Sequence, residues 1–104
     1  MLAATYAKRI GRAVAFSLAA FRQAFAGGRD LSDEDTILIA GAACEMHPTA
    51  LGKGICLSST ARALRTATVR ARHAGATTLP AIQVGETVYA GLDAIQEAAV
   101  ALQP

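Results

Sequence analysis

At 104 residues, with 53% hydrophobic against 17% charged residues, the chain has enough apolar length for one buried core and falls outside the disordered class. A formal charge of +2 spread over scattered basic residues, with 5% aromatics and no tryptophan, argues against nucleic acid as a partner. No apolar run reaches bilayer-crossing length, so no membrane partner is expected.

The first segment reads in two ways. Lys8-Arg9-Ile10-Gly11-Arg12, the apolar Ala13 to Phe21 and then Ala24-Phe25-Ala26 mimic a cleavable export signal. Arg22 and Gln23 interrupt that pattern ahead of the cut, and the same residues make an amphipathic helix, which is the reading adopted. From Leu2 to Ala26 the positions Tyr6, Ile10, Ala13, Val14, Leu18, Phe21 and Phe25 recur at helical steps and predict one buried stripe, with Gly11 as a dividing point. Gly27-Gly28 closes this segment, because glycine takes the left-handed conformation that ends helices. A second helix follows, with Ser32 expected to cap its free N–H groups and Asp33, Glu34 and Asp35 at the positive end of its dipole, running to about Glu45.

His47-Pro48 marks a boundary, since a residue before proline is pushed out of helical geometry while proline suits a first turn. A short helix through Leu51 is expected to end between Gly52 and Cys56. Ser58, Ser59 or Thr60 then caps a longer one whose apolar side uses Ala61, Leu64, Ala67 or Thr68, and Ala71, closed by Gly75. Beyond it the period changes to two. Ala81 to Val84 and Thr87 to Ala90 read as strands joined by a Gly85-Glu86 turn, with Ile82, Val84 and Val88 expected to face a core. The last helix begins near Asp93, which forms a capping-box pattern with Gln96, and continues through Ile95, Ala98, Ala99 and Leu102. The expected fold is therefore α+β and mostly helical, with a helical subdomain over residues 1–75 and a β-β-α unit over 76–104.

Cys44 and Cys56 are the only cysteines, too far apart in sequence to form a C-x-x-C redox motif. Both are expected as small core thiols, Cys44 in mid-helix and Cys56 near a helix end, where the dipole disfavours a thiolate. Cys44-x-x-His47 with Cys56 and His73 contains zinc-ligand types at a spacing that fits no compact module, so no metal is expected and His47 is read as a turn or cap residue. The scarcity of cysteine and the interrupted export pattern point to the cytoplasm.

A lone hairpin with one helix leaves bare strand edges, and a further strand is expected from elsewhere, either a second copy of the chain or a preceding N-terminal segment. Pro80 stands at the mouth of this hairpin, where it cannot donate to the ladder.

Leu79-Pro80-Ala81-Ile82 with Val84-Gly85, a second strand, Gly91-Leu92-Asp93 and a final helix resemble the C-terminal portion of the DsbA-like branch of the thioredoxin fold. That branch also contains the kappa-class glutathione transferases and the 2-hydroxychromene-2-carboxylate isomerases. Phe16 to Ala26, with Gly28-Arg29-Asp30-Leu31-Ser32, resembles the helical insertion of the same branch. The resemblance implies that Pro80 is the cis proline of the fold and that the Leu79 backbone offers its N–H and C=O to a thiol substrate. It also implies that Gly91 and Asp93 meet the γ-glutamyl end of glutathione, the one cofactor it suggests. The chain departs from the branch in Leu92, where a polar residue is common, and in Thr77-Thr78, where glycine is common. It also carries no strand and nucleophile ahead of the helices, so no catalytic residue can be assigned. The resemblance therefore implies a fragment of a thiol-disulfide oxidoreductase, inactive by itself. The alternatives are a non-catalytic dimerising or binding module and a fragment of a glutathione-dependent isomerase or transferase.

Overall fold

The computed structural model describes residues 1–104 and shows a mostly helical α+β chain with one small antiparallel sheet. The chain divides into two compact units, Met1–Leu64 and Arg65–Pro104.

The first unit contains α1 (Leu2–Arg9), α2 (Ala13–Phe21) extended by a π-helical turn (Arg22–Ala26), α3 (Glu34–Ala43), α4 (Pro48–Cys56) and the opening turns of α5 (Ser58–Ala74). Gly11, at φ +77°, supplies the left-handed residue that separates α1 from α2. In the π turn the Gly27 amide donates to the Arg22 carbonyl at 3.0 Å, a five-residue step that nothing in the sequence announces. Asp33, one residue beyond the expected Ser32, caps α3 by accepting from the Asp35 amide at 3.1 Å. Ser32 instead donates its own amide to Asp30 Oδ1 at 2.9 Å, forming a local turn ahead of the helix. The helix stops at Ala43, and Glu45 turns the chain with φ +63°. His47 caps α4 through Nδ1, which accepts from the Thr49 amide at 3.1 Å, and Pro48 occupies the first turn. Helix α5 begins at Ser58 itself. The Leu57 carbonyl accepts from the Thr60 and Ala61 amides, so none of the expected hydroxyl residues stands outside the helix as its cap.

The interior of this unit is rich in alanine. Ala3 and Ala7 of α1, Ala19 and Ala20 of α2 and Ala40 of α3 are buried around Phe16 and Leu51. Small side chains let helix backbones approach closely, and this reverses the expected orientation of α2. Phe16, Ala19 and Ala20 face inward, while Val14, Leu18, Phe21 and Phe25 are 75%, 51%, 53% and 84% exposed. Over α2 and its π turn the stripe predicted to be buried is the outer face, whereas its α1 member Tyr6 packs against the core. Helix α2 is apolar on every side, so periodicity alone could not select the inward one.

In the second unit, residues 65–75 of α5 and its end are exposed throughout, including Ala67, Thr68 and Ala71, which were assigned to an apolar side. Strands β1 (Ala81–Val84) and β2 (Thr87–Ala90) pair antiparallel with Ile82 opposite Tyr89 and Val84 opposite Thr87. Gly85, at φ +62°, opens the two-residue turn. This register places Ile82 and Val84 on one face with Tyr89, and puts Val88 on the other with Ala81 and Gln83. All three expected core residues, Ile82, Val84 and Val88, are half-buried, on opposite faces. Helix α6 (Ala94–Ala101) packs on both strands and buries Ala94 and Ala98. Asp93 precedes it without a side-chain capping bond, so the capping box with Gln96 does not form. The peptide bond between Leu79 and Pro80 is cis.

Candidate functional site

The residues singled out from sequence fall at one end of the hairpin. The Gly91 amide donates to the Pro80 carbonyl at 2.9 Å, which extends the β1-β2 ladder one pair beyond Ala81 and Ala90. Pro80 and Gly91 are therefore neighbours across the ribbon. Gly91 takes φ +96°, and its carbonyl accepts from the Ala94 amide at 3.1 Å, turning the chain from β2 into α6. Asp93 lies within this turn, exposed, with its carboxylate unbonded and its carbonyl accepting from the Glu97 amide.

Antiparallel pairing alternates, and residues whose backbone groups do not bond to the partner strand direct them outward. With Pro80 and Gly91 bonded across the ladder, Ile82 and Val84 are the next bonded positions, and Ala81 and Gln83 point their N–H and C=O groups to the open side of β1. Leu79 precedes the strand, joined to Pro80 by the cis bond. Its side chain is 86% exposed, and no backbone hydrogen bond involves its amide or carbonyl. Leu92, 95% exposed, stands on the far side of the Pro80–Gly91 pair. The end of the ribbon thus carries two exposed leucines and a row of unpaired backbone groups. Beside β1 lies a hollow of about 160 Å³ lined by Ala71, Ala74, Ala76, Ala81, Gln83 and Val88. Gln83, one of its lining residues, donates its Nε2 to the Gly85 carbonyl at 3.1 Å.

Both cysteines belong to the first unit, and the Pro80–Gly91 end of the hairpin to the second. Cys44 sits at the C-terminal cap of α3, and not in mid-helix, buried, with its thiol donating toward the carbonyls of Gly41 at 3.3 Å and Ala40 at 3.5 Å. Cys56 ends α4 and is exposed, contrary to the core role assigned to it. His47 serves as a helix cap, and no group of three or more His, Cys, Asp or Glu residues is placed to hold a metal ion. What the sequence reading missed is the extent of the edge. The alternation that aligns Ala81 and Gln83 follows from the two-residue Gly85-Glu86 turn, which was legible.

No family model matches the chain, and no curated protein or solved structure matches it either.

Proposed function

We propose that the second unit binds extended peptides by strand addition along β1, as the substrate side of a DsbA-like thiol-disulfide system whose nucleophile is not among these residues. The carrying observation is the unpaired Leu79 backbone, ahead of the outward groups of Ala81 and Gln83. A strand laid there gains main-chain hydrogen bonds from the edge and side-chain contacts from Leu79 and the small hollow, the two sources of affinity and selectivity in strand addition. The thiol element of the reading rests on the sequence resemblance at Leu79-Pro80. The glutathione alternative is favoured by one observation, the free Asp93 carboxylate beside Gly91, which suits an ammonium group.

Amide-resolved NMR of the labelled chain tests both. A reduced, cysteine-containing extended hexapeptide is expected to shift the Leu79, Ala81 and Gln83 amides, and the same peptide with serine for cysteine to shift them less. Unmoved Leu79 and Ala81 amides at saturating peptide would refute strand addition. Equal shifts from the two peptides would remove the thiol element. Reduced glutathione shifting Gly91 and Asp93 instead would favour the transferase-like alternative. In all cases the chain by itself is expected to leave insulin disulfides unreduced.

A further inference from the structure

Summed over the chain, a charge of +2 argued against nucleic acid, but the second unit keeps its charges apart. Its basic residues Arg65, Arg70 and Arg72 all stand on α5, together with His73, whereas its acids Glu86, Asp93 and Glu97 all lie beyond β1. No acidic residue occurs between Glu45 and Glu86, so no carboxylate one turn away on the helix offsets any of the three arginines. Residues 65–75 are exposed throughout. The cationic segment is therefore open to a partner along its length.

The arginines are arranged in two rows. At about 100° per residue, Thr66, Val69 and His73 share one narrow strip of the helix. Arg65 and Arg72 fall roughly 80° to one side of that strip and Arg70 roughly 70° to the other. Ala71, on the opposite side of α5, lines the hollow beside β1, so the strip and its flanking arginines turn away from the hairpin. From this arrangement we infer that residues 65–74 of α5 enter the major groove of a DNA duplex. Arg65 and Arg72 then hold the phosphates of one strand and Arg70 those of the other, with Thr66, Val69 and His73 toward the base edges.

Charge and shape select this occupant together. Cations on both flanks match the two phosphate rows that border a groove, whereas an acidic peptide strand presents a single row. All three are arginines, whose planar fork grips phosphate oxygens in pairs. The major groove of B-form DNA, about 12 Å wide, admits an α-helix, and this one is kept slim by Ala67, Ala71 and Ala74. Duplex RNA is disfavoured because its major groove is too deep and narrow for side chains to read. A lipid surface is disfavoured because an interfacial helix needs a broad face of large apolar residues, and Val69 stands alone among the arginines. Three phosphate contacts give binding without sequence preference, at a dissociation constant of about 10⁻⁴–10⁻⁶ M. The contact uses neither the β1 edge nor a thiol, so it stands or falls independently of the peptide-binding reading.

The test is fluorescence anisotropy of a labelled DNA duplex titrated with the full chain over a series of salt concentrations. The logarithm of the affinity is expected to fall against the logarithm of salt with a slope of about −3, the value for three neutralised phosphates. Arg65→Ala, Arg70→Ala and Arg72→Ala are each expected to weaken binding and to reduce the slope by about one unit. Lys53→Ala, an exposed cation on α4, should leave the slope unchanged. Val69→Glu places a carboxylate in the strip facing the bases and should abolish binding, while circular dichroism reports that every variant remains helical. An anisotropy unmoved by near-millimolar chain at low salt overturns the inference, as does a slope indifferent to Arg70→Ala. Single-stranded DNA or polyglutamate bound as tightly as the duplex would overturn entry into the groove. Retention of the chain by phosphatidylserine vesicles but not by the duplex would assign the arginines to a lipid surface and equally overturn it.

Discussion

A β-carbon on residue 54 would clash with the Cδ1–Cε1 edge of the Tyr6 ring, so α1 and α4 meet where one of them has no side chain at all. Gly54→Ala should therefore destabilise the fold, although alanine is the better helix former by about 1 kcal/mol. The overpacking term, about 1–3 kcal/mol, exceeds that gain because the obstacle is a ring held between helices. Chemical denaturation should show the loss, and Tyr6→Ala introduced alongside should remove most of the clash. A thermal midpoint for Gly54→Ala at or above that of the parent would contradict the packing described.

Arg12 stands at the N-terminal boundary of α2, and its Nη1 donates to the Cys44 carbonyl at 2.9 Å, at the C-terminal cap of α3. A cation there satisfies an orphan carbonyl and opposes the negative end of the helix dipole. Arg12→Ala is expected to cost about 1 kcal/mol in urea unfolding, a loss that grows smaller as salt is added. No change on substitution would mean that solvent satisfies the carbonyl equally well.

The turn ahead of α3 is sensitive to acid. The backbone hydrogen bond from Ser32 holds the Asp30 carboxyl below its ordinary value of 3.8, with a further contribution from the Ser32 side chain. A carboxyl whose folded value is depressed binds fewer protons folded than unfolded, so it stabilises the fold above the ordinary value and loses that contribution as pH falls through the folded one. Carboxyl-carbon NMR titration should find Asp30 titrating below the ordinary value, and Asp30→Asn should remove its share of the acid dependence below about pH 4. An Asp30 midpoint at or above 3.8 would count against the Ser32 contact.

The two thiols should react in sequence. Cys56 is exposed and is expected to take up a small alkylating reagent in the folded protein, while buried Cys44 waits for opening of the first unit. Mass spectrometry of the alkylated chain over time, with and without denaturant, distinguishes the sites. Equal rates for the two in the absence of denaturant would contradict the burial of Cys44.

Much of the element order was legible because it rests on local backbone chemistry. Gly11 and Gly28 divide and end the first helical segment, His47-Pro48 begins α4, and Gly85 with Glu86 fixes a tight hairpin whose register then sets every outward group on β1. What was not legible depends on partners in space. The inward face of α2 was misread because alanines count as apolar at any angle, and the choice between Phe16 and the file of Phe21 and Phe25 is made by neighbouring helices. Asp33 displaced Ser32 as a cap because Ser32 was already committed to Asp30. Val88 was assigned with Ile82 by residue type, whereas the register separates them across the pleat. At the candidate site, Pro80 and Gly91 were named separately, and only the ladder makes them neighbours.

An interior assembled largely from methyl groups also has a thermal consequence. Melting the first unit would hydrate less new hydrocarbon per residue than melting a core of leucine and isoleucine, and the heat-capacity increment tracks that newly wetted hydrocarbon. Its stability should therefore trace a shallow dome against temperature, with calorimetry recording a small step between the folded and unfolded baselines and a transition that broadens instead of sharpening with heat.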